Sequence, residues 1–356
     1  MNIKPLKIGD LEAKLPIIQG GMGIGVSSSN LASAVAKEGG IGVISAANIG
    51  YEEEDFETNT LKANIRGLKK HIKKAKEKAQ LGIIGVNIMV AMKNYGEFVK
   101  ASIEAGADII ISGAGMPTNL PSLIGKSKIK IAPIISSSKG AKVLLKLWDR
   151  HHKRTADMIV IEGPKAGGHL GFKKENIEES IKDFDKEILN IIKEVKVYEE
   201  KYNKDIPVVV AGGVFDGNDI AKYLKLGADG VQMATRFVAT EECDASEEFK
   251  KAYINAKEED IVIVQSPVGM PGRAIMNPFV KRITDNRENI LKCYNCLEPC
   301  NPKETPYCIS KALLNAVKGN INEGLIFCGS NAYKIDKIIT VKELMDELIK
   351  EIELSL

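Results

Sequence analysis

The stretch Ala105-Gly106-Ala107-Asp108-Ile109-Ile110-Ile111 decides the fold. A helical pattern ends at its glycine, and an apolar run follows at once. Glycine adopts the left-handed conformation that terminates helices. The apolar run is too short for a helix and too continuous for a half-exposed strand, so it predicts a strand buried on both faces. We therefore expect a helix-to-strand junction of a parallel sheet here.

The same junction recurs along the first two thirds of the 356-residue chain. It occurs at 38–44 and 226–232, and 155–161 is a variant without the glycine. Apolar runs at 16–19, 83–87, 130–134 and 207–210 complete a set of eight candidate strands. Helical patterns lie between them at 30–37, 61–80, 95–105, 118–125, 139–150, 175–202 and 217–226. This alternation over about 240 residues predicts a parallel (β/α)₈ TIM barrel, with a doubly wound sheet as the alternative.

The alternation stops at Glu241. Beyond it lie a helical pattern at 246–256, a stretch rich in Pro, Gly and Asn at 266–278, a cysteine-rich segment at 293–308, and helical patterns at 310–318 and 341–352. We predict that residues 1–240 and 325–356 form the barrel. Residues 241–324 are predicted to form a smaller, mostly helical cap that contacts the substrate.

The composition excludes several function classes. Lys and Arg total 50 against 47 Asp and Glu, so the net charge of +3 predicts no nucleic-acid footprint. The lysine-rich segment 62–78 has no aromatic residue near it for base stacking, and it predicts a solvated outer helix. The charged N-terminus lacks a signal-peptide apolar region, and no stretch of about 18 uncharged apolar residues exists. We expect a cytoplasmic protein with no membrane contact.

Glycine-rich and polar turns follow six of the predicted strands. The active sites of this barrel type lie where the strands end. Glycine lets the backbone approach a flat ligand and leaves N–H groups unblocked. Gly212-Gly213 and Ala234-Thr235-Arg236 follow strands seven and eight, the usual phosphate-binding loops of this fold, and they predict a phosphate-bearing ligand.

One histidine stands out among the four. His71, His151 and His152 lie in charged helical stretches, where an inert role is expected. His169 instead lies in a glycine-rich loop at the end of a strand, where its imidazole can act as an acid, a base or a hydrogen-bond donor near neutral pH. We predict that His169 is catalytic or contacts the substrate.

Together, in chain order, these elements resemble the nitronate monooxygenase family, formerly 2-nitropropane dioxygenase, which also includes the flavin-dependent enoyl-ACP reductases. The resemblance covers nearly the whole chain and implies an FMN-binding TIM barrel. The elements that carry it are Gln19-Gly20-Gly21-Met22-Gly23, Gly85-Val86-Asn87-Ile88-Met89, Gly113-Ala114-Gly115, Ala166-Gly167-Gly168-His169, Ala211-Gly212-Gly213 and Thr235-Arg236-Phe237.

The resemblance also implies a role for each matching position. Those along or around the flavin ring are Gly21, Met22, Gly23, Asn87, Gln232, Gly167 and Gly168. Those at the phosphate are Gly212, Gly213, Ala234 and Thr235. His169 would face the substrate above the flavin, and Gly329 would belong to a return segment that reaches the flavin.

The chain departs from the family pattern at two places. The family usually has Glu directly before Ala-Gly-Gly-His, whereas Gly163-Pro164-Lys165 separates Glu162 from Ala166 here. Gly21 stands where many of the monooxygenases have proline, and this form also occurs among the enoyl reductases.

The resemblance therefore leads to a first hypothesis and leaves alternatives open. The first is an FMN-dependent monooxygenase that uses O₂ to denitrify alkyl nitronates oxidatively. The second is an enoyl-ACP reductase that uses NAD(P)H, and the third is a non-catalytic flavin- or metal-binding sensor. A flavin-free barrel of the inosine-monophosphate-dehydrogenase type is a further alternative. The sequence leaves the physiological substrate and homo-oligomer formation open.

The cysteine-rich segment poses a separate question. Cys293, Cys296, Cys300 and Cys308 are spaced closely enough to bind zinc or an iron–sulfur cluster, although the spacing is not a standard two-knuckle zinc pattern. The alternative is a cap loop with reduced thiols.

Overall fold

The computed structural model describes residues 3–356, and a closed barrel of parallel strands forms its centre. The strands are β1 (Leu6–Ile8), β2 (Leu11–Ala13), β3 (Ile17–Gln19), β4 (Ile41–Ser45), β5 (Ile83–Met89), β6 (Ile109–Gly113), β7 (Lys130–Ile135), β8 (Ile159–Glu162), β9 (Gly168–His169), β10 (Val208–Ala211), β11 (Gly230–Met233), β12 (Ile261–Gln265) and β13 (Pro271–Ile275). The order around the barrel is β3–β4–β5–β6–β7–β8–β10–β11. The predicted (β/α)₈ barrel is confirmed.

Helices follow the barrel strands and continue into the C-terminal third. They are α1 (Ser29–Lys37), α2 (Thr60–Ala79), α3 (Tyr95–Glu104), α4 (Leu120–Ile124), α5 (Ser138–His152), α6 (Ile177–Tyr202), α7 (Gly217–Leu226), α8 (Thr235–Val238), α9 (Glu247–Ile254), α10 (Pro278–Asp285), α11 (Ile309–Val317) and α12 (Val341–Ser355). The lysine-rich segment lies on α2, on the outside of the barrel, with most of its lysines exposed. Within residues 3–356, no helix has both the length and the apolarity needed to cross a bilayer.

The barrel strands are buried on both faces, as the uninterrupted apolar runs predict. Ile18 and Ile109 pack in the barrel interior, whereas their neighbours Ile17 and Ile110 pack in the layer between strands and helices. Because successive side chains of a strand point to opposite faces, both faces must be apolar when both are covered.

The aspartates of the repeated junction have a structural role. Each accepts a hydrogen bond from a backbone N–H near the start of the neighbouring barrel strand. The aspartate thus satisfies an N–H group that has no partner in the hydrogen-bond ladder between the strands. The bonds run from Ile84 to Asp108 (2.7 Å), from Ile131 to Asp157 (2.9 Å) and from Val208 to Asp229 (2.8 Å). The repeat therefore fixes adjacent strands to one another as well as ending helices.

A hairpin closes the amino-terminal end of the barrel. Strands β1 and β2 pair in antiparallel fashion, and Leu6 and Ile8 are buried among the inward-facing residues of the barrel. Asp10, in the turn, forms an ion pair with Lys130 at the start of β7. The hairpin therefore covers the end of the barrel opposite the one where the strands terminate.

The C-terminal third contains a sheet that the sequence analysis did not predict. Strands β12 and β13 form an antiparallel pair, and β13 also pairs with β9. Strand β13 lies entirely in the stretch rich in Pro, Gly and Asn, whose composition is typical of a loop. Helix α12 buries Leu344 and Leu348 in the outer layer of the barrel. The division into residues 1–240 with 325–356 and residues 241–324 stays a prediction.

Candidate active site

All the predicted site residues line one cavity at the carboxyl end of the barrel. The cavity has a volume of about 260 Å³. The structure thus brings together loops that are far apart in the sequence, although it leaves the role of each residue a prediction. The predicted residues in its wall are Gly21, Met22, Gly23, Asn87, Gly167, Gly168, His169, Gly212, Gly213, Gln232, Ala234, Thr235 and Gly329.

His169 is positioned by the unpredicted sheet. Its strand β9 pairs with β13, where His169 lies opposite Gly272. The His169 Nε2 atom shares a hydrogen bond of 2.6 Å with Ser266 Oγ, and the imidazole packs edge-on against Phe327 with ring centroids 5.1 Å apart. Burial lowers the pKa of His169 to about 4. The ring is therefore neutral at pH 7, and its orientation is fixed on two sides.

Arg273 holds the loop between β8 and β9. Its Nη2 donates to the carbonyl oxygen of Pro164 at 2.9 Å, and its Nη1 donates to that of Ala166. The Arg273 residue is buried, and burial lowers the pKa of its guanidinium. A planar guanidinium that donates to two carbonyls fixes both distance and angle. Arg273 thus sets the approach of the Gly167-Gly168-His169 segment to the cavity.

Sequence reasoning missed both Ser266 and Arg273. They flank a loop-like stretch that gives no periodic strand signal, and nothing in their spacing connects them to His169, about 100 residues earlier. The pairing of β9 with β13 brings them together.

Glu162 ends strand β8 and also lines the cavity. The backbone N–H of Gly171 donates to its carboxylate at 3.3 Å. Burial raises the pKa of Glu162 to about 7, so the carboxyl carries a proton for much of the time at neutral pH. Although three residues separate Glu162 from the Ala-Gly-Gly-His element, it therefore remains in the site as a group that exchanges a proton near pH 7.

Two glycines of the rim are needed for close backbone approach. A Cβ on Gly167 would lie 2.6–2.7 Å from backbone atoms of Cys328 and Gly329. A Cβ on Gly329 would lie 2.5 Å from Thr235 Oγ1. Cβ contacts this short essentially never occur, so the return segment packs on the rim only with glycine at 167, where the neighbours are backbone. At 329 a side chain would force Thr235 to turn its hydroxyl away.

Unpaired polar atoms at this cavity indicate a polar ligand. Within residues 3–356, neither Gln232 Oε1 nor Ser330 Oγ has a hydrogen-bond partner, although both atoms are buried. Gln232 lines the cavity, and Ser330 directly follows Gly329 of its wall. A buried polar atom without a partner costs about 1–3 kcal/mol, which a bound ligand can offset. A flavin offers ring N–H groups, hydroxyls and a phosphate, so these residues fit it.

A second cavity of about 340 Å³ adjoins the first. The two share a wall that includes His169, Met89, Met92 and Leu313. Its other side is formed by the residues before and at the start of α2, by the loop after β5 and by residues 292–297 of the cysteine-rich segment. His169 therefore lies where the two cavities meet. The second cavity is large enough to hold the part of a substrate that extends beyond the first.

The cysteine-rich segment shows no metal centre. Across residues 3–356, the structure brings together no group of His, Cys, Asp or Glu side chains able to hold a metal ion, so the zinc or iron–sulfur alternative gains no support. All the cysteines are free thiols; Cys293 is exposed, and burial raises the pKa of Cys296 to about 11. Both line the second cavity.

Comparison with known proteins decides the family. The family model described as nitronate monooxygenase matches residues 4–351. The chain belongs to the nitronate monooxygenase family. It is thus a flavin-dependent oxidoreductase that acts on a small molecule, which confirms the resemblance in the sequence. A probable nitronate monooxygenase of Staphylococcus saprophyticus is 25% identical over 312 residues, which cover 82% of this chain and 83% of that protein.

Two solved structures are similar to this family member. FabK from Thermotoga maritima superposes with a TM-score of 0.73 at 26% identity, over 96% of this chain and 93% of that one. A nitroalkane oxidase from Streptomyces ansochromogenes has a TM-score of 0.73 at 20% identity, over 96% and 97% of the two chains, and shows the common fold.

Proposed function

We propose that this chain is an FMN-dependent nitronate monooxygenase that denitrifies alkyl nitronates oxidatively with O₂. The observation that carries the proposal is the position of His169, held by Ser266 at the edge of a glycine-lined cavity. A neutral imidazole can donate one hydrogen bond to an incoming anion, but it does not form an ion pair with the anion. The family match over residues 4–351 supports the same activity.

Different residues of the cavity would bind different parts of FMN. Gly21, Gly167 and Gln232 would lie against the flavin ring, and Gly213 and Thr235 would hold the phosphate. When bound, FMN supplies the electron acceptor and the centre at which O₂ reacts. His169 would orient the nitronate through a hydrogen bond.

Glu162 and the cap would complete the site. Because the Glu162 carboxyl exchanges its proton near pH 7, it can supply or store a proton inside the cavity. Strand β13 and Phe327 cover His169 and reduce the access of water, which strengthens hydrogen bonds to an anionic ligand.

The second cavity supports another candidate, a flavin enoyl-thioester reductase that uses NAD(P)H. Its lining includes apolar side chains that suit an acyl chain, those of Ile24, Met89, Met92 and Leu313. It also includes Lys93. A small nitronate would leave this space unused. Since the second cavity meets the first at His169, an acyl chain there would place its reacting end beside the flavin.

One experiment separates the two activities. The purified protein is scanned for flavin bands near about 370 and 450 nm and is then mixed anaerobically with propyl nitronate or with NADH or NADPH. Bleaching by nitronate, with nitrite released when air is admitted, supports the monooxygenase. Bleaching only by a nicotinamide, with turnover of a crotonyl thioester, supports the reductase. If FMN added to the apoprotein does not bind, neither activity holds.

A further inference from the structure

Lys165 lies across the end of the cavity that is expected to hold phosphate. Its stem runs over Gly213, so that a Cβ on this glycine would lie 2.8 Å from Lys165 Cβ and 3.0 Å from its Cδ. Gly213 has a φ of +88° and faces the lysine with backbone alone. The absence of a side chain here is what gives the lysine stem its path along the loop after β10.

The backbone of Lys165 is joined to the same end of the cavity. Its carbonyl oxygen accepts a hydrogen bond from the N–H of Ser330 at 3.2 Å. The hydroxyl of Ser330 is the buried atom that has no partner within the described chain. Lys165 itself lines the cavity, together with Gly213, Thr235 and Gly329. Hydroxyls, backbone N–H groups and a lysine are the groups that bind phosphate in proteins.

Lys165 differs from its neighbouring cation, Arg236, in ion pairing. Among residues 3–356, no carboxylate lies within ion-pair distance of its ammonium group. Arg236, the nearby cation that follows Thr235, is in contrast paired with Glu347 at 2.8 Å and stacked over Phe215. Lys165, which lines the cavity, therefore presents an available charge to an anion that enters this end.

We propose that Lys165 binds the terminal phosphate of the flavin nucleotide and makes the site prefer FMN over riboflavin. The inference rests on the proposed use of FMN and adds the residue that recognises its phosphate. Because Lys165 is solvent-exposed, its contribution is smaller than that of a buried ion pair and decreases with salt. We expect the loss of this charge to weaken FMN binding about tenfold at low salt.

The test compares Lys165→Gln, Lys165→Glu and Lys165→Arg with the wild type, each full-length and stripped of flavin. The dissociation constants of FMN and riboflavin are measured by fluorescence quenching at low and high salt. Lys165→Gln is expected to weaken FMN binding about tenfold and Lys165→Glu further, with riboflavin unchanged and Lys165→Arg restoring the affinity. Lys173→Gln is the matched control, since Lys173 is exposed and does not line the cavity.

Two results would overturn the proposal, and they differ in what they mean for the proposed function. If the wild type binds FMN and Lys165→Glu binds it equally well, or loses FMN and riboflavin to the same extent, Lys165 does not recognise the phosphate while the proposed function stands. If the wild type binds no FMN, the proposed function and the role of Lys165 fail together.

Discussion

Replacing Gly167 by alanine tests the close approach between the rim and the return segment. The added Cβ would lie 2.6–2.7 Å from the Cys328 carbonyl group and the Gly329 nitrogen, whereas ordinary contacts begin at 3.4 Å. Both neighbours are backbone, so no side-chain rotation relieves the overlap. The two segments must separate by about 0.7–0.8 Å, which is the kind of overpacking that strains a well-packed interior. Since Gly167 and Gly329 both line the cavity, this separation changes its shape.

The cost follows from that overlap. Overpacking of this size typically costs about 1–3 kcal/mol. If the cost falls on the flavin-bound state, the dissociation constant of FMN rises about 5- to 140-fold, because each 1.4 kcal/mol is tenfold. We expect the barrel to stay folded, since the overlap involves a loop and not a barrel strand.

The assay is FMN titration of the apoprotein, with thermal unfolding measured in parallel. Gly96→Ala is the matched control: Gly96 lies on α3 away from the cavity, and its new Cβ would meet only Leu123 Cδ2, at 3.3 Å. The control is expected to bind FMN like the wild type. A Gly167→Ala protein whose FMN affinity stays within twofold of the wild type would refute the reasoning.

Three further predictions concern buried groups. Burial lowers the pKa of His169 from 6.5 to about 4, so the free energy of unfolding should fall as the pH falls from 6.5 to about 4. Burial raises the pKa of Glu162 from 4.5 to about 7, so the contribution of Glu162 to stability is lost as the pH rises from 4.5 to about 7. Urea titrations of the apoprotein should show that the pH dependence assigned to His169 is lost in His169→Gln and that the one assigned to Glu162 is lost in Glu162→Gln. Arg273→Lys keeps the charge but loses the guanidinium fork, so kcat/KM should fall about tenfold or more in steady-state assays while FMN stays bound. Gln232→Leu should raise the free energy of unfolding of the apoprotein by about 1–3 kcal/mol, measured by urea, and weaken FMN binding in titrations, because it removes an unpaired buried oxygen.

Each of these has a contrary outcome. His151→Gln is the control substitution at an exposed histidine, and an unchanged pH dependence in His169→Gln would contradict a buried neutral imidazole. An Arg273→Lys enzyme with full kcat/KM would show that the loop is fixed without the fork. A Gln232→Leu apoprotein less stable than the wild type would mean that the oxygen is paired.

The barrel was predictable because its signal is local and repeated. Each junction such as 105–111 contains its own helix end and its own doubly buried strand, so one short window suffices to recognise it. The predicted rim residues met in one cavity for the same reason, since a barrel brings all strand ends to one face.

What the sequence did not reveal depends on long-range pairing. The β1–β2 hairpin consists of strands of three residues, too short to show an alternating pattern. Strand β13 is interrupted in pattern by Pro271, Gly272 and Arg273, and it becomes a strand because it pairs on both sides. The contacts of Ser266 and Arg273 with the His169 segment follow from that pairing, so no local window contains them.

The shared sheet of β9, β12 and β13 has an evolutionary consequence. The barrel loops supply most of the residues in the wall of the proposed cofactor cavity. The sheet orients His169, a residue of the cavity wall, through Arg273 and the pairing of β13 with β9. Substitutions in β12 and β13 can therefore shift His169 without altering the barrel loops, which offers evolution a route to a different substrate preference.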